Sequence, residues 1–249
     1  DDRAGIGRSG NLGHMPVAAD RVDYFKSVAV EAGRQLEDAP PDTVIRWAVD
    51  TFGDGFCITA SMADAVLIDI ASRVADDINV IFLDTGYHFP ETLATRDRVA
   101  KRYQVRLHTI LPRQTVAEQD ATFGPKLHDR DPDACCSLRK VEPLARALGG
   151  YQAWGSGIRR DETASRRNIR VVEWDRKRSM VKVSPLAGWT QAQVDEYTIA
   201  NDVEVNPLIY DGFPSIGCAP CTRRVAPGED PRSGRWANSP KLECGLHLG

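Results

Sequence analysis

The sequence predicts an α/β fold built on a doubly wound, mostly parallel sheet. Three observations carry that prediction. Short apolar runs alternate with stretches of helical periodicity from Phe56 onward. The first two runs, Phe56–Ala60 and Ile78–Leu83, are mainly apolar, as strands covered on both faces are. Each of the first two is followed at once by a helical stretch, which is the spacing of a parallel crossover. A loop-rich C-terminal tail completes the architecture.

The elements follow in order. Residues 1–20 are rich in Gly, Asp and Arg with little apolar periodicity, and read as a disordered N-terminal segment. Residues 21–49 read as helices, broken at Pro40-Pro41. Phe56–Ala60 is a first strand, and Ala63–Val74 a helix through Ala63, Val66, Leu67, Ile70 and Ala71. Ile78–Leu83 is a second buried strand. Pro90–Tyr103 is a helix with proline in its first turn. Val105–Leu111 is a third strand and Val116–Phe123 a short helix. Leu138, Val141, Leu144, Ala145 and Leu148 mark a helix that Gly149-Gly150 ends. Tyr151–Gly155 is a fourth strand, and Ile169–Trp174 and Met180–Val183 read as two more, perhaps paired. Thr190 caps a helix over Gln191–Ala200. From Asp202 the chain is loop-rich, punctuated by Pro207, Pro214, Pro220, Pro227, Pro231 and Pro240. The expected division is a nucleotide- and cluster-binding domain over 21–221 and a mobile tail over 222–249.

Composition narrows the class. A length of 249 residues suits one large domain with an appendage. The apolar runs are too short to span a bilayer, so no membrane association is expected. No charged-then-apolar leader opens the chain, and the expected location is the cytoplasm. A net charge of −3 gives no global pull toward nucleic acid. Charge is nevertheless uneven. Arg159, Arg160, Arg166, Arg167, Arg170, Arg176, Lys177 and Arg178 crowd one stretch against Asp161, Glu162, Glu173 and Asp175. That stretch reads equally as a solvated loop or as an anion pocket.

Cysteine placement carries the chemistry. Of six cysteines, four form two close pairs, Cys135-Cys136 and Cys218-Ala219-Pro220-Cys221. In a chain of cytosolic appearance such pairs mean metal or redox work more often than disulfides. Thiolates suit zinc or iron–sulfur clusters. Adjacent cysteines diverge on a helix and are awkward for one small ion, so a larger cluster is favoured over zinc. Cys57, inside an apolar strand, reads as core. Cys244 stands apart in Glu243-Cys244-Gly245-Leu246-His247 and is expected to be exposed and reactive. Lys241 and His247 lie near enough to lower its pKa. The stretch from Cys221 to Cys244 could reach roughly 75 Å if fully extended, enough to swing the thiol between a substrate and an external partner.

Two loops read as anion sites. Thr59-Ala60-Ser61-Met62-Ala63-Asp64 joins a strand to a helix, where hydroxyls and free N–H groups hold anions. Taken alone, Ser61 reads first as an ordinary helix cap. Asp84-Thr85-Gly86 after the second strand has the same ambiguity. In Pro231-Arg232-Ser233-Gly234-Arg235-Trp236, two arginines three apart suit a doubly charged anion.

Together these pieces resemble the assimilatory adenosine 5′-phosphosulfate reductases of the bacterial, thioredoxin-dependent, iron–sulfur type. The resemblance runs from about Phe56 to His247. It is most specific in Cys135-Cys136-Ser137-Leu138-Arg139-Lys140, Gly217-Cys218-Ala219-Pro220-Cys221 and Glu243-Cys244-Gly245-Leu246-His247. Leu83-Asp84-Thr85-Gly86-Tyr87 and Trp154-Gly155-Ser156-Gly157-Ile158-Arg159-Arg160 add support. The resemblance implies an adenine-nucleotide alpha-hydrolase-like fold. It also implies a 4Fe–4S cluster on Cys135, Cys136, Cys218 and Cys221. Cys244 would attack the substrate sulfur, release AMP and carry an S-sulfocysteine that thioredoxin resolves to sulfite. Lys140 would bridge cluster and substrate. Arg232, Arg235 and His247 would meet the phosphosulfate, and Ser61 and Arg160 would help hold the nucleotide.

Three other readings compete. Reductases of 3′-phosphoadenosine 5′-phosphosulfate share the terminal motif but typically lack both cysteine pairs. ATP-dependent tRNA thiolases share the fold, yet the loop after the first strand lacks the two glycines of their Ser-Gly-Gly-x-Asp-Ser. A non-enzymatic four-cysteine zinc module would have no use for the separate Cys244.

Overall fold

The structure is a computed structural model that describes residues 18–237, 241 and 243–246. Its centre is a six-stranded sheet: β1 (Phe56–Ala60), β2 (Ile78–Leu83), β3 (Val105–Ile110), β4 (Ala153–Ser156), β5 (Val172–Asp175) and β6 (Met180–Val183), in the order β3-β2-β1-β4-β6-β5. All neighbours are parallel except β5, which pairs antiparallel with β6 at the edge. The chain thus runs outward from β1 to β3, then returns to place β4 on the other side of β1. The expected parallel sheet is present, and the last two strands are indeed paired.

Side-chain alternation builds a core on each face. Phe56 and Ile58, Val80 and Phe82, and Val181 and Val183 join one apolar cluster with Val44, Ile45, Val66 and Ile68. The helices α1 (Ala18–Gln35), α2 (Pro41–Phe52) and α3 (Val66–Val74) contribute to that cluster. Between those positions, Cys57, Ile81, Trp154 and Met180 point the other way, onto Leu144 and Leu148. Burying each large side chain contributes about 1.5–3 kcal/mol, so these two layers dominate stability. Cys57 is fully buried, and burial pushes its thiol pKa far up, which fits the core role expected of it.

Capping sets several boundaries. Proline opens α2 and α4 (Pro90–Arg102), where its missing N–H costs nothing. Thr115 and Glu118 form a reciprocal capping box for α5 (Val116–Phe123). Two short helices, α6 (Leu127–Arg130) and α7 (Pro132–Cys136), were not foreseen in the polar loop. From α7 the backbone stays helical to Leu148, through a wider π turn over Ser137–Val141 and then α8 (Glu142–Leu148). Pro143 supplies the reason. It has no N–H for the Arg139 carbonyl, and Glu142 N–H reaches back to Ser137 O instead. Thr190 caps the last helix, α9 (Gln191–Ala200), as expected, with Gln193 closing the box.

The first helix begins at Ala18, just inside the segment expected to be disordered. Residues 1–17 and His247 lie outside the described residues. Among the described residues, no helix is long and apolar enough to cross a membrane.

Candidate active site

The strand order reverses between β1 and β4, and the loops leaving their carboxyl ends diverge there. Open α/β sheets bind ligands in that crevice. Ser61 follows β1 and is exposed. It does not cap α3. That task falls to Asp64, whose Oδ1 accepts the Val66 N–H at 3.0 Å. The ordinary-cap reading of Ser61 is therefore set aside. Met62 takes a left-handed φ of 62°, unusual for a residue with a side chain. Asn206, which is fully buried, holds it there. Its Nδ2 donates to Met62 O at 3.1 Å and to Thr92 Oγ1 at 3.0 Å, while its Oδ1 accepts from Leu208 N.

Beyond β2, Thr85 and Arg139 join this edge of the sheet to the helix of the first cysteine pair. Arg139 is buried and donates to Thr85 O at 2.5 Å and to Gln119 Oε1 at 2.9 Å. Gly86 has φ 72°, and a side chain there would press on Arg139. Thr85 Oγ1 lies 3.3 Å from Cys218 Sγ, and Ala219 N–H donates to Tyr87 O at 2.7 Å. These contacts bring the second cysteine pair to the first.

All four paired cysteines line one narrow cavity of about 10 Å³, with Tyr87, His128, Arg139, Lys140, Arg235 and Trp236. Burial, and then the neighbouring Cys218, push the Cys135 thiol up to about 11. Burial opposes the charge of Lys140, but the sulfurs of Cys218, Cys244 and Cys136 outweigh it and raise its pKa. Lys140 is thus held charged beside the cysteines. Among the described residues, no three His, Cys, Asp or Glu side chains converge as ligands of a single metal ion.

Cys244 is buried at the edge of this cavity, where exposure was expected. A hydrogen bond from the Cys136 thiol lowers its pKa well below the ordinary thiol range. Burial opposes the shift, and Lys140, the Leu246 N–H and Arg235 reinforce it. The segment is closed over the cavity by contacts with the basic stretch after β4. Lys177 Nζ donates to Gly245 O at 3.4 Å and Arg178 Nη2 to Leu246 O at 2.9 Å. Leu246 packs against the Leu144–Trp154 core. Arg166 holds the Glu243 carboxylate at 2.9 and 3.0 Å. Arg166, Lys177 and Arg178 of that stretch therefore receive the terminal segment, while Arg167, Arg170 and Arg176 are exposed as in a solvated loop.

The remaining predicted residues divide. Arg235 Nη1 donates to Ile216 O at 3.1 Å and the guanidinium stacks 4.6 Å over Trp236. Gly217 makes room for it, since a Cβ there would fall 2.3 Å from Arg235 Nη2. Arg232 reaches Ser215 Oγ at 3.4 Å and Glu243 Oε2 at 3.5 Å. The Nε atoms of both arginines are buried without a partner among the described residues. Arg160 turns toward the loop after α1, where it pairs with Glu37, and donates to Ile169 O at 2.9 Å. The cysteines, Lys140, Arg235 and Arg232 are thus brought together with Cys244, while Arg160 is engaged elsewhere. Arg139, Arg166, Asn206 and Glu243 were not singled out from the sequence. Glu243 and Arg139 lay inside quoted motifs and Arg166 inside the basic stretch, while Asn206 had no signal to follow.

Comparison with known proteins agrees with this geometry. Residues 56–224 match the phosphoadenosine phosphosulfate reductase domain. An adenosine 5′-phosphosulfate reductase of Streptomyces coelicolor is 59% identical over 225 residues, which is 90% of this chain and 95% of that protein. The chain belongs to the adenosine 5′-phosphosulfate reductases. The reductase of that name from Mycolicibacterium smegmatis is 48% identical, over 93% of this chain and 98% of its own. In fold, the chain resembles a crystal structure of phosphoadenylyl-sulfate reductase from Candida auris in a phosphate complex. That likeness has a TM-score of 0.68 and 29% identity, over 86% of this chain and all of the other. Candida glabrata FMN adenylyltransferase shares the fold alone, with a TM-score of 0.52 at 13% identity.

Proposed function

We propose that the chain reduces adenosine 5′-phosphosulfate to sulfite and AMP, with Cys244 as nucleophile and thioredoxin as electron donor. The observation that carries this reading is the meeting of Cys244 with Lys140 and four cysteines at one cavity. The family membership and the names of its relatives support the substrate.

The cysteines fit a 4Fe–4S cluster. They are soft donors that line one shared cavity, and adjacent Cys135 and Cys136 suit the separate irons of a cluster better than one small ion. Cys135, Cys136, Cys218 and Cys221 would hold it, and it would supply a compact anionic centre behind the substrate. Lys140 stands where it can lower the repulsion between that centre and a sulfonucleotide. A Cys136 sulfur bound to iron has no proton to donate, so Lys140, Arg235 and the Leu246 N–H remain to favour the Cys244 thiolate.

The nucleotide would lie in the β1–β4 crevice beside Ser61. Arg232 and Arg235 would take the phosphosulfate with their spare donors, Arg being suited to such anions. The Cys244 thiolate attacks the sulfur, a sulfur–sulfur bond forms, and the sulfur–oxygen bond to AMP breaks. A thioredoxin thiolate then attacks the Cys244 sulfur and expels sulfite, leaving a mixed disulfide. Its second thiol resolves that disulfide and returns the Cys244 thiolate. Two electrons pass from the dithiol to the former sulfonate. The tail, residues 222–249, is closed for the first step and opens for the second.

Sulfite release from each of the two sulfonucleotides, with thioredoxin as reductant, tests the reading. Turnover is expected on the nucleotide without a 3′-phosphate. Preference for the 3′-phosphorylated substrate would overturn the substrate assignment. Protein purified without oxygen is expected to be yellow-brown, and colourless protein would point to zinc.

A further inference from the structure

Glu243 has no task in that mechanism, yet its carboxylate accepts five hydrogen bonds. Its Oε1 accepts from Arg166 Nε at 3.0 Å, Thr163 Oγ1 at 3.2 Å and Ser165 Oγ at 3.3 Å. Its Oε2 accepts from Arg166 Nη2 at 2.9 Å and Arg232 Nη2 at 3.5 Å. The Glu243 and Arg166 side chains are only 8% and 10% exposed. We propose that Glu243 is the positioning residue for Cys244: its two-point ion pair with Arg166 latches the tail and sets the neighbouring sulfur over the cysteine cavity.

Three features favour a latch over an incidental ion pair. First, Glu243 is engaged at both carboxylate oxygens by the largely buried Arg166. The contacts at Gly245 O and Leu246 O read only backbone, and the ion pair of Lys241 with Asp133 ends on an exposed carboxylate. Second, Arg166 is itself fixed. Its Nη1 donates to Glu162 Oε2 at 2.5 Å, and that oxygen also accepts the Arg159 N–H at 2.8 Å. The receiving guanidinium is therefore preorganised by the loop after β4, which lowers the cost of docking. Third, the same pairing makes release possible. When the tail leaves, Glu162 still neutralises Arg166 and Glu243 enters water, so no buried charge is stranded. An ordinary buried pair would resist opening, whereas this one can cycle. The Arg232 contact is the longest, which leaves that arginine able to turn toward a substrate anion while Arg166 keeps the tail.

The latch rests on Cys244 being the nucleophile only for its catalytic consequence, and the test separates the two. The first measurement is the rate at which iodoacetamide alkylates Cys244, followed by peptide mass spectrometry on anaerobically purified, full-length protein without nucleotide. Glu243→Ala and Arg166→Ala should each raise that rate about tenfold, the worth of one charge-assisted pair. The double variant should be no faster than either single, because the two residues form one interaction. Glu243→Gln, which keeps the shape and cannot disturb the sheet, should fall between. The second measurement is steady-state sulfite formation, in which Glu243→Ala should lower kcat with little change in KM. Wild-type alkylation rates in the Glu243 variants, or additive effects in the double variant, would overturn the latch. Faster alkylation in Glu243→Ala, in a protein whose wild type makes no sulfite, would keep the latch and sink the nucleophile reading.

Discussion

The sulfurs of Cys136 and Cys244 meet within hydrogen-bonding reach, joining the terminal segment to the helix that carries the first cysteine pair. The two cysteines are more than a hundred residues apart in sequence, and on the proposed mechanism their meeting defines where substrate sulfur would arrive.

Cys244→Ser should therefore abolish sulfite formation while leaving the visible absorbance and nucleotide binding nearly intact. Cys244 lies at the edge of the cavity and is not one of the four cysteines lining it. The serine hydroxyl is a far poorer nucleophile than a thiolate at neutral pH. Absorbance and sulfite production are the measurements. A Ser variant turning over near the wild-type rate would remove Cys244 from the chemistry.

Lys140→Ala should weaken sulfonucleotide binding and slow sulfur transfer without bleaching the protein. Its ammonium is held charged among the sulfurs of Cys218, Cys244 and Cys136. Removing a cation from between anionic groups in a partly dry site should cost about tenfold to a hundredfold in kcat/KM. Single-turnover kinetics at matched absorbance decide it, and unchanged kinetics would reject the role.

Much of this arrangement was legible in the chain. Phe56–Ala60 and Ile78–Leu83 were delimited by apolar runs because strands buried on both faces show little else. The cysteine pairs announced themselves because few other uses place thiols so close. What stayed hidden depends on distance in sequence. Arg166 meets Glu243 across 77 residues and Asn206 meets Met62 across 144, and no periodicity encodes such pairs. Cys244 was expected to be exposed because a terminal segment has few local contacts. Its burial comes from Leu246, Glu243 and the basic stretch acting together. The π turn at Ser137–Val141 was equally unreadable, since helical periodicity tolerates one widened turn.

Asn206→Ala should reduce stability by about 2–3 kcal/mol, because one substitution strands the Met62 carbonyl and the Leu208 N–H in a buried setting. It should also weaken nucleotide binding, since Asn206 fixes the left-handed Met62 beside Ser61. Urea denaturation and equilibrium binding of AMP check the two halves. A stable variant with ordinary affinity would show that the loop after β1 holds its shape unaided.

Gly217→Ala tests Arg235 without touching it. The added methyl would lie 2.3 Å from the Arg235 Nη2 position, so the guanidinium must move. A flexible side chain can yield, and the fold should survive. The expected outcome is a raised KM for the sulfonucleotide with the thermal midpoint and visible absorbance retained. An unchanged KM would mean that Arg235 need not stand where it does for the anion to bind.

The last prediction concerns the intermediate itself. Direct reduction would deliver two electrons to a sulfur still attached to the nucleotide, and the sequence carries no flavin or nicotinamide fingerprint to supply them. Thiolate attack divides the task into two sulfur exchanges, each with a good leaving group. Cys244 is placed for the first. It is buried, drawn toward the thiolate and set beside Lys140 and Arg235, whose charges also suit the oxygens of a sulfonate. It is ill placed for the second while the tail is closed, because burial keeps an external dithiol away. The adduct should therefore accumulate when substrate is added without thioredoxin. Intact-protein mass spectrometry should show one added SO₃ group, about 80 Da, and peptide mapping should place it on Cys244. Adding thioredoxin should discharge it as sulfite in stoichiometric yield. If a full equivalent of AMP were released and no adduct formed, electrons would have to reach the sulfur by another route, and the role assigned to the tail would be wrong.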